Sequence, residues 1–264
     1  MLRVLVCLLC LLTGAASPQD TLLERARAVI REHPEMWSGA VVARGERSVV
    51  VGGTRALAAE LAARADQAAV AVREVWGRPV TAVILIPATD GQAATLAAPA
   101  RVDGFAALAG LDRVIVEPGG FARLSPRGRQ VVLAHELTHV ATGAAAGGVP
   151  MWLSEGFADY VGYRDSGIPV RDAAAELIAG GRISDHLPGA ADFRDRAPQA
   201  YEEAWLACRY VAERFGEARL AALYRAALDG DPTAALVGTV GMGVAEFTAA
   251  WRAYLADLGV GNRA

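Results

Sequence analysis

Ser125-Pro126-Arg127-Gly128-Arg129-Gln130-Val131-Val132-Leu133-Ala134-His135-Glu136-Leu137-Thr138-His139-Val140-Ala141-Thr142-Gly143 is the stretch on which the fold turns. Ser at a cap followed by Pro at the first helical position is a favoured helix start, and Gly143 is a natural stop. The run between them therefore reads as one helix, with apolar flanks that place it in the interior. On a helix, His135 and His139 lie one turn apart on the same face, with Glu136 beside them. Two of the four histidines of the chain fall in this pentapeptide. Such a pair offers two neutral nitrogens to a metal ion, and an adjacent carboxylate can act on whatever the ion holds.

The rest of the chain divides around this helix. Before it, a short helix capped by Asp20 runs to about residue 31, and residues 40–51 alternate around Arg44-Gly45-Glu46 as a hairpin. Thr54 caps a long Ala-rich helix over 55–75, closed by Gly77 and Pro79. Residues 80–86 form a strand, a helix capped by Thr89 or Asp90 follows to about 98, and Arg113-Val114-Ile115-Val116 is a further strand. After it, 150–163, 171–179, 199–215, 217–228 and 244–258 all read as helices. The expected fold class is α+β: a mixed sheet with helices first (upper lobe, about 17–146), then an all-helical lower lobe (about 147–264), with the motif helix at the join.

Composition narrows the function classes. The 264 residues are 53% hydrophobic, enough to bury a sizeable core. The net charge of -3, with no long basic run, gives no support to nucleic-acid binding. Residues 1–16 carry one Arg, an apolar run over 4–12 and small residues up to Ala16. They read as a signal peptide cleaved after Ala16, with a retained membrane anchor as the alternative. Cleavage would leave Cys208 as the one remaining thiol, in an apolar setting that suits an inert buried group. The expected location is extracytoplasmic, and the oligomeric state is left open.

Catalytic zinc commonly takes three protein ligands. After His139 the next acidic side chain is Glu155, beyond a Gly- and Ala-rich turn that can bring a second helix back. With Glu155 the set for one Zn2+ per chain would be His135, His139 and Glu155. His-Glu-Leu-Thr-His followed by Trp152-Leu153-Ser154-Glu155-Gly156-Phe157-Ala158-Asp159-Tyr160 resembles the gluzincin metallopeptidases, and peptidase MA-like domains in particular. The resemblance is specific over about 130–163 and weaker around 200–205 and 247–255. It implies a zincin-like fold, a peptide or protein substrate, and Glu136 as general base. It also implies Glu155 as third ligand and Asp159 as the carboxylate that orients a ligand histidine; the plainer reading of Asp159 is an exposed helix acid. Tyr201 is the implied oxyanion partner, with His186 as the alternative. Arg113, Val114, Ile115 and Val116 would be the edge strand that pairs with substrate, or else an ordinary interior strand. No Gly-Ala-Met-Glu-Asn-like segment precedes the helix, and Glu117 stands in a different context, which argues against an aminopeptidase. A non-catalytic zinc-binding or membrane-tethered interaction domain is the competing class; an intact Glu136 argues against it.

Overall fold

The computed structural model describes residues 18–100 and 104–260, so the segment read as a signal peptide lies outside it. The chain is α+β. The first half runs α1 (Pro18–Glu32), β1 (Val42–Arg44), β2 (Ser48–Gly52), α2 (Arg55–Trp76), β3 (Ala82–Ile86), α3 (Asp90–Ala97), β4 (Ala107–Ala109), β5 (Arg113–Val116), α4 (Pro118–Ala122) and α5 (Pro126–Thr142). The second half is helical: α6 (Met151–Tyr163), α7 (Val170–Ala173), α8 (Ala175–Gly180), α9 (Ala190–Asp195), α10 (Ala197–Phe215), α11 (Glu217–Asp229), α12 (Pro232–Val240) and α13 (Val244–Asp257).

The five strands form one mixed sheet in the order β1-β2-β3-β5-β4. β2, β3 and β5 are parallel, and β1 and β4 run antiparallel to their neighbours. Every residue of β2 and β3 is buried, because both faces are covered. Strand alternation divides them: Val50, Ile84, Val114 and Val116 join the core with the alanines of α2, while Val49, Val51, Val83 and Ile115 meet Leu22, Ala26 and Val29 of α1.

Two expectations are revised here. The strand 113–116 is paired on both sides, with β3 and β4, so it is interior rather than an edge. The edge on this side of the sheet is β4, whose Ala-Leu-Ala sequence has little strand propensity and takes its form from β5. The helix read over 171–179 is broken at Ala174 into α7 and α8. α9 and α12 extend the helical half beyond the segments read from sequence, although Asp231-Pro232 is an orthodox start for α12.

In the second half α6 packs closely on α10 at Gly156. A Cβ built there would lie 2.1 Å from the Ala204 carbonyl oxygen and 2.9 Å from Cys208 Sγ. Only glycine allows this approach, and it draws α6 tightly against the neck of α10 that carries Tyr201. Cys208 is fully buried as a free thiol. No single helix among the described residues is long and apolar enough to cross a membrane.

Candidate metal centre

α5 forms where its caps dictate. The Ser125 side chain accepts from Gly128 N–H, Pro126 opens the first turn, and Gly143 adopts φ +71° with its N–H bonded to the His139 carbonyl. The helix lies between α2 and α6, which buries Leu133, Ala134 and Leu137 and turns His135 and His139 toward α6. Gly143, Gly147 and Gly148 all have positive φ, a backbone that side chains resist, and they return the chain to start α6 after Pro150.

This return brings three ligand atoms together. The Nε2 atoms of His135 and His139 are 2.9 Å apart, and Glu155 Oε2 is 3.3 Å from each. Tetrahedral bonds of about 2.0–2.1 Å to a zinc-sized ion would separate neighbouring donors by about 3.3–3.4 Å. Two edges of the triangle already match and the third needs to open by a few tenths of an ångström. The donor chemistry fits as well, with two imidazoles and one carboxylate. This His-His-Glu group can hold a metal ion, and among the described residues it is the one group of three or more His, Cys, Asp or Glu that meets at such distances.

The surrounding contacts orient the set. Asp159, one turn after Glu155 on α6, meets His135 Nδ1 at 2.7 Å, which leaves Nε2 facing Glu155. Asp159 is therefore a partner of His135 rather than an exposed helix acid; its side chain is 14% exposed. Burial opposes protonation of His135, but the Asp159 charge and hydrogen bond outweigh it and hold the imidazole well above its ordinary range. Burial likewise disfavours charge on Glu155, yet the facing imidazoles draw its carboxyl well below the usual range. Glu136 is 7% exposed, and burial raises its pKa despite the two histidines.

A cleft of about 200 Å³ opens on this group, lined by Phe105, Ala107, Ala109, Glu136, Glu155 and Tyr201 among others. One wall is thus the edge strand that sequence reading overlooked. Gly104 and Gly110 bracket it and Gly110-Leu111-Asp112 turns it into β5, which is the signal that was there to be read. Glu117 N–H bonds the Ala106 carbonyl and Gly110 N–H bonds that of Arg113. By antiparallel alternation, Ala107 and Ala109 then turn their own N–H and C=O groups away from β5; Ala107 is buried there, and Ala109 is partly exposed. The Ala109 N–H faces the Glu136 carboxylate.

Tyr201 stands in the same cleft, its ring edge-on to Phe193 at 4.9 Å. Burial first, then the carboxylates of Glu155, Asp159 and Glu136, raise its phenol far above the usual range and keep the proton on it. His186 is elsewhere. Its ring is exposed and bridges Asp185 at 2.7 Å and Asp192 at 3.1 Å, so the alternative assigned to it is withdrawn. It borders a larger apolar cavity of about 990 Å³ between the start of α6, α12 and α13, which contains none of the metal group. Tyr160 donates to Glu217, and Tyr163 packs on Trp205, as packing residues should. Glu117 caps α4 through Gly120 N–H. His33 faces Glu35 at the end of α1.

No protein-family model matches this chain, and no curated protein sequence matches it.

Proposed function

We propose that this chain is a zinc-dependent peptidase of the gluzincin type that cleaves within extended peptides. The observation that carries the reading is the convergence of His135 Nε2, His139 Nε2 and Glu155 Oε2, with Asp159 behind His135 and a buried Glu136 beside the open side of the triangle. A structural metal site has no use for that last carboxylate. When bound, zinc supplies a Lewis acid that polarises a carbonyl and lowers the pKa of a water to about 7.

The residues of the chain do the rest. Glu136 takes the proton of the attacking water and delivers it to the leaving amine; its burial-raised pKa brings it nearer the working pH of such a base. The Tyr201 phenol, held protonated, donates to the oxygen on which negative charge develops. The partly exposed outer edge of β4 at Ala109 receives an extended backbone as an added strand, which selects a peptide without reading its side chains. The carrying experiment is metal analysis with a peptide-library digest of wild type and Glu136→Gln. Wild type should hold about one zinc and cleave. The variant should hold the same metal and lose about 10²–10⁴-fold in rate. Equal cleavage by both would refute the mechanism.

A further inference from the structure

Tyr224 of α11 lies outside the cleft yet joins the two ligand-bearing helices. It is fully buried, edge-on to Trp76 at 5.5 Å and against Phe157 at 5.0 Å. Its phenol donates to Thr142 Oγ1 at 3.2 Å. Thr142 Oγ1 in turn donates to the Thr138 carbonyl at 2.9 Å and lies 3.4 Å from that of His139. Phe157, two residues after Glu155 on α6, packs against the ring of the same side chain. One side chain therefore touches both helices: its hydroxyl holds the closing turn of α5, beneath His139, and its ring packs on α6 beside Glu155.

α5 and α6 are joined in sequence by residues 143–150, a loop with three positive-φ glycines that constrains their spacing little. The local hydrogen bonds of each helix set its own ligands, but not the distance between helices. A metal ligand triangle with 3.3 Å edges tolerates little drift. The packing of Trp76 and Phe157 fixes where the ring sits; the hydroxyl fixes what it holds.

We propose that Tyr224 is a positioning residue that sets the His139–Glu155 spacing, and so the affinity and geometry of the metal centre, through its bond to Thr142 on α5 and its ring contact with Phe157 on α6. The inference rests on the metal reading above. The test uses the full chain with Co2+ as a visible zinc surrogate. Affinity is read by chelator competition and geometry by the visible absorption band.

Tyr224→Phe keeps the ring contacts and removes one net hydrogen bond, so Co2+ should bind about 3- to 10-fold more weakly, with a changed band. Thr142→Val should do the same, the double variant should be no worse than either alone, and Thr142→Ser should restore wild-type binding. A Tyr224→Phe protein that melts earlier but binds Co2+ with wild-type affinity and spectrum overturns the inference and leaves the metal site standing. If Tyr224→Phe does not fold, the Thr142→Val and Thr142→Ser pair decides by the same two readouts. A wild type that takes up no Co2+ overturns the metal reading itself, and the inference with it.

Discussion

Replacing Asp159 by Asn tests the support of the metal centre with the least disturbance of shape. The Asp159 Oδ1 to His135 Nδ1 contact is 2.7 Å, and the two side chains are 14% and 13% exposed, so solvent screens little of it. A hydrogen bond to a charged group contributes about 1.5–3 kcal/mol and a neutral one about 0.5–1.5. Asn can still accept from Nδ1, so the loss is the difference, about 1–1.5 kcal/mol. At about 1.4 kcal/mol per decade, zinc should bind roughly tenfold more weakly. Asp159→Ala leaves the donor with no acceptor and should cost about 10- to 100-fold.

Chelator competition at fixed pH measures both. A second arm uses the metal-free chain. His135 has its folded-state pKa raised above an unfolded value of about 6.5, since Asp159 outweighs burial. The stability it contributes is therefore full below about pH 6.5 and is lost as pH rises through the folded value. Chelator-stripped wild type should lose stability upward from about pH 6.5, and Asp159→Asn should lose less over the same range. Wild-type affinity in both variants, or an unchanged pH slope in the Asn variant, would refute the assigned role.

Two further outcomes are expected. Glu155→Ala should leave a two-ligand site and reduce zinc content from about one per chain to near none, with helicity unchanged by circular dichroism; normal zinc content would place the third ligand elsewhere. Gly156→Ala forces a Cβ onto the Ala204 carbonyl and should cost about 1–3 kcal/mol, a melting temperature lower by roughly 2–12 °C in calorimetry. Unaltered melting would mean that α6 and α10 are not so closely packed.

What could be read in advance was what the chain settles locally. Ser125, Pro126 and Gly143 act within one helical turn of themselves, as do Thr54, Gly77 and Thr89. The 3.6-residue period alone puts His135 and His139 on one face. Asp159 was legible for the same reason, being one turn from Glu155 on a single helix. β4 was not, because an Ala-Leu-Ala strand takes its conformation from its neighbour β5, and its own residues carry no strong preference.

By itself, then, the sequence determined the α+β division, the motif helix with its caps, and which side chains are able to ligate a metal. Tertiary structure decided how they meet. Whether Glu155 reaches the histidines depends on how the glycines of 143–150 fold back. Whether Tyr201 or His186 enters the cleft depends on the packing of α10 against α6 at Gly156. Which strand has open hydrogen-bonding groups depends on pairing across the whole sheet. Each of these is a contact between residues distant in the chain, and such contacts are set by the burial of whole faces rather than by the propensity of any one segment.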